Sequence, residues 1–283
     1  MSVRKVLIPA AGFGTRTLPA SKAIPKEMIT LVDRPLIQYA VEEAVGAGIG
    51  QVGIITAAWK TAIARHFGSN PELEAFLAAT GKAAVLEEIR KIGRSAEFTY
   101  ILQSEPLGLG HAVLMGEGFA AGEPVAVMNP DTVYDGPVPC LKQLMDVFER
   151  QGATTIVLGR IGREEASKYG VVRAEQVSDR VFRIRDLIEK PGPDKAPSNL
   201  AVLGRYIFAP SVFEAIRATP PGYGGEIQLT DAIRRLADSE PVYGVLFEGR
   251  RYDAGDPWGY IEATIGLAGK KPEYAGRMKA LLG

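Results

Sequence analysis

The short apolar run Val6-Leu7-Ile8 suits a buried strand, and it breaks abruptly into Ala10-Ala11-Gly12-Phe13-Gly14. That break limits the fold more than any other stretch of the chain. Two glycines remove the side chains that would block close approach of a ligand. Successive backbone N–H groups in such a turn form a concavity suited to phosphate oxygens. Arg16 comes at once, with Lys22 and Lys26 shortly after. Pro19 and Pro25 fix φ and deny the segment a continuous helix, so the three cations sit on a constrained loop. Read by itself, Gly12-x-Gly14 fits an ordinary strand-to-loop turn with solvated cations as well as it fits a phosphate site.

The residues beyond the loop predict an α/β chain. Leu36, Tyr39, Ala40, Glu43 and Ala44 recur at helical spacing behind Pro35, and Gly46 and Gly48 end the helix before a second apolar strand, residues 51–56. Strand, helix and strand make a βαβ unit with parallel strands and a right-handed crossover. Residues 59–93 read as surface helices without chemistry. Further strands are expected at 97–102, 124–128 and 154–159. Tyr169-Gly170-Val171-Val172 and residues 181–188, about a turn at Asp179-Arg180, read as antiparallel. Residues 201–208 and 242–247 add two more, the latter expected as the last sheet strand. Helices are expected from Trp258 onward. The sum is a mixed, mainly parallel sheet, with no internal repeat and no clear linker across 283 residues.

Composition excludes several classes. Lys plus Arg and Asp plus Glu both total 33, a balance that disfavours a nucleic-acid or anionic-membrane binder. Cys140 is the single cysteine, and only His66 and His111 could join it, which disfavours a disulfide framework or a Cys/His metal cluster. No apolar run reaches the length of a membrane span, and the N-terminus lacks a signal-peptide pattern. A cytoplasmic enzyme fits best.

Three further segments carry chemistry. Gln103 precedes a second glycine-rich turn, Gly108-Leu109-Gly110-His111-Ala112, which alone could be a tight strand-to-helix connection. Asn129-Pro130-Asp131 places an acidic residue just beyond a strand's carboxyl end, where α/β folds gather ligands, although a solvated turn aspartate reads the same way. Glu189-Lys190-Pro191 closes the antiparallel pair and would be a solvated strand end in most proteins.

The segment IPAAGFGTRTLPASKAIPKEM, from Ile8 to Met28, resembles the signature of the sugar-nucleotide pyrophosphorylases, G-x-G-T-R followed by P-K, and within that family its uridylyl-transferring bacterial members. The resemblance runs from about Val3 to Ala268. It implies a Rossmann-like three-layer nucleotidyltransferase fold over residues 1–268, with a nucleotide-binding half at about 1–160, a sugar-phosphate-binding half at about 161–256, and a C-terminal helical tail at 269–283. It implies that Ala10, Ala11, Gly12 and Gly14 frame the nucleotide and that Gln103 and Gly108 meet the uracil base, whose N3 donor and O2 and O4 acceptors a glutamine amide can match. Arg16 and Lys26 would hold the triphosphate. Asp131 and Asp253 would bind Mg2+, with Asp135 a weaker neighbour; Ala254 replaces the cysteine found beside the second aspartate in many relatives. Lys190 would neutralise the sugar phosphate and Glu189 accept from sugar hydroxyls. Gly170 would leave room beneath the hexose. Arg205, in N-x-x-x-x-G-R-Y, is a further sugar-phosphate candidate, with packing or a salt bridge equally open. Glu226, Gln228 and Thr230 match the family, yet helix capping would also explain them.

The implied reaction joins UTP and glucose 1-phosphate into UDP-glucose and pyrophosphate, for polysaccharide biosynthesis, by a homodimer or homotetramer. Thymidylyl transfer and another sugar 1-phosphate remain open, as does a non-catalytic sugar-nucleotide sensor. A nicotinamide-dependent dehydrogenase would share the strand, Gly-x-Gly and the later Asp33, but it fails at Thr17, where a third glycine belongs, and at Pro19, where a helix should run.

Overall fold

The computed structural model describes residues 2–282. In chain order, β1 (Lys5–Pro9) leads through 3-10 turns at Thr15–Thr17 and Lys26–Met28 and a small bend of β2 (Thr30–Leu31) with β3 (Arg34–Pro35). Next come α1 (Leu36–Gly46) and β4 (Gln51–Thr56), then α2 (Thr61–Phe67), α3 (Pro71–Ala79) and α4 (Ala83–Arg94), and β5 (Glu97–Leu102). Helices α5 (Leu109–Met115) and α6 (Glu117–Ala120) reach β6 (Val125–Met128), which precedes β7 (Thr132–Asp135), α7 (Cys140–Gln151) and β8 (Thr155–Arg160). The hairpin β9 (Gly170–Gln176) and β10 (Val181–Glu189) is followed by β11 (Leu200–Phe208), α8 (Ser211–Arg217) and α9 (Leu229–Ser239). The described chain ends with β12 (Tyr243–Leu246), β13 (Arg250–Asp253), α10 (Pro257–Ala268) and α11 (Pro272–Leu282).

Nine strands form one sheet in the order β5-β4-β1-β6-β11-β8-β12-β10-β9. Only β10 and β11 run against the other seven, so the sheet is mixed and mainly parallel in direction, as expected. Period-two alternation explains the three layers. Val6, Ile8, Ala126 and Met128 face one core with α1 and α7, whose Ile37, Val41, Leu144 and Phe148 are buried there. Leu7, Val125, Val127, Ile156 and Leu158 face the opposite core with α8 and α9, whose Val212, Ile216, Ile233 and Leu236 fill it. Each fully buried aliphatic side chain contributes about 1.5–3 kcal/mol, so both faces hold the sheet.

Strand β12 is the last strand of this sheet but not of the chain. Arg250–Asp253 pairs antiparallel with Thr132–Asp135 as a separate ribbon, with Asp253 opposite Thr132. The sequence hides this strand because only Tyr252 of its four residues is buried; Tyr252 packs with Leu31, Leu36, Val133 and Ala263 in a small third core. Among the described residues no helix is long and apolar enough to cross a membrane.

Candidate active site

A cleft of about 470 Å³ opens beyond the carboxyl ends of β1, β5 and β6, lined by Ala11, Gly12, Gly14, Arg16, Lys26, Gln103, Gly108, Asp131 and Glu226 among others. Its glycines differ in what requires them. A methyl on Gly12 would meet no protein atom within 4 Å, so nothing in the fold demands glycine there and the bare backbone leaves the cleft clear. Gly14 is left-handed (φ +69°), and a methyl would sit 3.0 Å from Lys26 Cβ, so the turn itself needs it. Gly108 (φ +105°) would press a methyl to 2.8 Å from Glu226 Cβ and from the Ile227 carbonyl oxygen. Ala10 is covered: its N–H donates to the Ile55 carbonyl (2.7 Å) and its carbonyl accepts from Lys60, so it supports the cleft from beneath.

Charge concentrates at Asp131. Lys26 Nζ donates to its Oδ2 at 2.6 Å, and Arg16 Nη2 stands 3.6 Å from the same oxygen. Burial, the largest single influence, works to raise the Asp131 pKa, but the Lys26 charge and hydrogen bond together with the Arg16 charge hold the carboxyl below its ordinary value. Burial likewise works to lower Lys26, and Asp131 and Glu27 win, leaving it raised and cationic. Arg16 keeps most of its guanidinium exposed and, beyond this ion-pair approach, makes no side-chain hydrogen bond among the described residues, which leaves donors that could reach phosphate oxygens. Lys22 is exposed and lies outside the cleft lining.

The ribbon brings the second aspartate alongside. Ala254 N donates to the Asp131 carbonyl at 2.8 Å. A methyl on Gly255 would lie 3.1 Å from Asp253 Oδ1, 3.2 Å from Asp131 Oδ2 and 3.2 Å from Arg16 Nη2, so both carboxylates converge on one glycine. Asp253 accepts from Tyr169 Oη (2.8 Å) and from Gly255 N (3.1 Å). Among the described residues no group of three or more His, Cys, Asp or Glu is arranged for a metal, so any cation here has two protein carboxylates at most. Asp135 sits at the other end of the ribbon, ion-paired with Lys270 and away from this point.

Tyr169 also leads to the end of the β9–β10 hairpin, because its carbonyl accepts from Lys190 N at 3.1 Å. Lys190 is a non-glycine residue in left-handed backbone (φ +45°), a conformation that costs about 1–3 kcal/mol and persists only where neighbours impose it. Its Nζ lies 3.4 Å from Glu189 Oε1 and 4.9 Å from the centre of the Tyr223 ring. Glu189 Oε2 accepts from Thr230 Oγ1 at 2.7 Å, and a methyl on Gly170 would be 3.0 Å from Thr230 and 3.3 Å from that carboxylate. The capping alternative for residues 226–230 is not what the structure contains. Gln228 precedes α9 without a side-chain cap bond; its amide donates to the Tyr223 carbonyl (2.9 Å) and to Glu226 (3.1 Å).

Arg205 is a correction. It is fully buried on the opposite face of β11, where Nε and Nη2 reach Glu43 (3.1 and 2.9 Å) and Nη1 and Nη2 reach the Asn129 and Thr132 carbonyls (both 2.8 Å). No donor is left for a sugar phosphate, and the residue fixes the loop that carries Asp131 from behind. Sequence reasoning also missed Glu27 and Lys60. Both are buried, with Lys60 Nζ 2.6 Å from the Ala10 carbonyl and 2.9 Å from Glu27, pinning the glycine-rich loop to the start of α2. Burial pushes the Glu27 carboxyl up and the Lys60 ammonium down, and their attraction opposes both shifts. The acid immediately after Lys26 was a signal in plain view; Lys60, in a stretch read as surface helix, offered none.

Strand ends that gather a glycine-cleared cleft, a carboxylate pair and two outlying cations suit an enzyme that joins two phosphorylated substrates, a group-transferring α/β protein. The family model described as "Nucleotidyl transferase" matches residues 5–269, and the chain belongs to that family. It is 45% identical over 280 residues to a UTP–glucose-1-phosphate uridylyltransferase of Bacillus subtilis, covering 99% of this chain and 94% of the relative. Its fold is similar to a UDP-glucose pyrophosphorylase solved with UDP-glucose (TM-score 0.88, 41% identity, 95% and 100% of the two chains). It is similar also to a UTP-bound UGPase from Acinetobacter baumannii (TM-score 0.92, 36% identity, 99% of each chain). The protein is therefore a nucleotidyltransferase, and the dehydrogenase alternative falls.

Proposed function

We propose that the protein transfers the uridylyl group of UTP to α-D-glucose 1-phosphate, giving UDP-glucose and pyrophosphate. The observation that carries this reading is one line of contacts: Lys26 to Asp131, Asp131 beside Asp253 at Gly255, Asp253 to Tyr169, and Tyr169 to Lys190. On this reading a cation for the triphosphate and a cation for the sugar phosphate would stand on either side of a carboxylate pair. The relatives' names support the choice of UTP and glucose 1-phosphate.

In-line attack of the sugar-phosphate oxygen on the α-phosphorus needs no protein nucleophile, because the attacking oxygen is already anionic. What it needs is positioning and relief of charge repulsion. Arg16 and Lys26 would hold the β- and γ-phosphates and stabilise the departing pyrophosphate. Lys190 would hold the attacking phosphate, and Glu189, fixed by Thr230, would accept from sugar hydroxyls. Gly170 leaves the floor of that side bare. Asp131 and Asp253 would hold a divalent cation; two carboxylates with room for phosphate oxygens and water match the donor set of Mg2+, which would neutralise phosphate charge there. The nucleotide half, about 1–160, and the sugar-phosphate half, about 161–256, would thus meet at the ribbon. Trp258, Ile261 and Ile265, exposed at helical spacing on α10, support self-association as a homodimer or homotetramer.

The test is pyrophosphate release with UTP, dTTP, CTP, ATP and GTP against several sugar 1-phosphates, with and without chelator. Mg2+-dependent release with UTP plus glucose 1-phosphate supports the reading. A preference for dTTP or for another sugar 1-phosphate reassigns the substrate. Nucleotide binding without release in any pair would leave a sensor.

A further inference from the structure

The reading of UTP as substrate leaves open how the cleft tells uracil from cytosine, and the hydrogen bonds around Gln103 bear on it. A glutamine amide is nearly symmetric in shape, and its two ends have opposite hydrogen-bonding character. The Gly108 carbonyl, which can only accept, lies 3.4 Å from one end of the Gln103 amide, so that end is the nitrogen. The same nitrogen is 2.9 Å from His111 Nδ1. For it to donate there, Nδ1 must present its lone pair and the imidazole proton must sit on Nε2. Both amide hydrogens are then spent on protein acceptors.

Gln103 Oε1 has no partner among the described residues, and it is not among their sealed, unpaired polar atoms. Gln103 is 7% exposed and lines the cleft, so this oxygen is the end left for a ligand. The cradle is stiff. Gln103 N donates to the Thr56 carbonyl (2.9 Å), Ile227 N to the Leu107 carbonyl (2.8 Å) and Gly110 N to the Ile227 carbonyl (2.9 Å).

We propose that His111 is a positioning residue that sets the base preference: by accepting from Gln103 Nε2 it turns Gln103 Oε1 into the cleft, which selects a base carrying a ring N–H and rejects cytosine. In a uracil nucleotide N3–H is the only ring donor, so it is the group that Oε1 can take. Cytosine presents a lone pair at N3, and two acceptors would face each other in a site where Gln103 has no hydrogen left to offer. Thymine carries the same N3–H, so this contact does not separate UTP from dTTP.

The experiment measures equilibrium binding of UTP and of CTP, by calorimetry without sugar phosphate, to the native protein and to His111→Leu and His111→Asn. Leucine removes the acceptor. Asparagine can place an oxygen close to where Nδ1 stood. His111→Leu should lower the UTP-over-CTP preference about tenfold, chiefly through weaker UTP binding, as loss of one buried hydrogen-bond partner predicts. His111→Asn should hold that preference within about threefold of native by restoring the same bond. With only His66 and His111 in the chain, 15N-resolved spectra should show the His111 proton on Nε2. Equal weakening of UTP and CTP in His111→Leu, or a proton on Nδ1 in the native protein, would overturn the proposal. So would an Asn variant as unselective as the Leu variant. Native protein that prefers UTP over CTP yet releases no pyrophosphate with any sugar 1-phosphate would sink the transferase reading and leave base selection by His111 standing.

Discussion

The Tyr169 hydroxyl donates to Asp253 Oδ2 across 2.8 Å, and through that bond the hairpin ending in Glu189 and Lys190 is tied to a carboxylate at the rim of the cleft. Arg251 Nη2 donates to the same hydroxyl at 2.9 Å, so the tyrosine is held from both sides. Tyr169→Phe keeps the ring and removes the tie. We expect kcat to fall about tenfold through lost positioning, with KM for UTP nearly unchanged, in steady-state pyrophosphate-release assays.

Tyr169 also gives a pH signature. Burial first, then the nearby Asp253 charge, push its pKa up to about 12, with Arg251 pulling the other way. The folded value is raised above an unfolded tyrosine's, about 10. Its contribution to stability is therefore complete below about pH 10 and is lost as pH rises towards 12, where the unfolded chain ionises first. Urea melts across that window should show the native protein losing stability with pH more steeply than Tyr169→Phe. Parallel slopes would contradict the assignment.

Asp131→Asn removes the charge that Lys26 and Arg16 share. Turnover should drop by about 10²–10³, the size of effect seen when one preorganised electrostatic partner is lost, while circular dichroism stays native. Near-native turnover in a folded variant would end the role given to this carboxylate.

Lys190→Ala should act on one substrate. Loss of a charge-assisted contact worth about 1.5–3 kcal/mol raises KM for glucose 1-phosphate roughly ten- to a hundredfold. KM for UTP should move little, because its proposed cations are Arg16 and Lys26. An unchanged glucose 1-phosphate dependence would remove Lys190 from the site.

Arg205→Ala, by contrast, should be a stability variant. Breaking a buried pair leaves Glu43 uncompensated, at a cost of about 3–5 kcal/mol, read in chemical denaturation. At a temperature where the variant folds, its KM for glucose 1-phosphate should stay near native. A large selective rise in that KM would restore Arg205 to the sugar-phosphate site.

How much of the fold and site was legible in the sequence depends on whether a residue's role is local. The strands are periodic and the glycine-rich turn is contiguous, so both were readable as structure. Asp131 and Asp253 could be named from short motifs, but the ribbon that unites them could not, since Arg250–Asp253 has one buried side chain and no alternation. Arg205 shows the opposite failure. Its neighbours Gly204 and Tyr206 carry a family resemblance, yet which way a guanidinium points depends on the face of β11 it occupies and on Glu43, a residue that read only as part of a helix stripe. Lys60 was invisible for the same reason: a lone lysine at a helix start reads as solvated until Glu27 and the Ala10 carbonyl are brought to it.

Strand β11 pairs with β6 on one side and β8 on the other, so the sheet runs unbroken beneath both groups of proposed binding residues. A hinge between them would have to tear a hydrogen-bonded strand pair at every cycle. On the proposed reading, the spacing between the cation for the nucleotide and the cation for the sugar would be set as by a fixed ruler. The segments that stand clear of that pairing are the exposed turn bearing Phe13 and Arg16 and the Gly222–Gly225 strap that lays Tyr223 over Lys190.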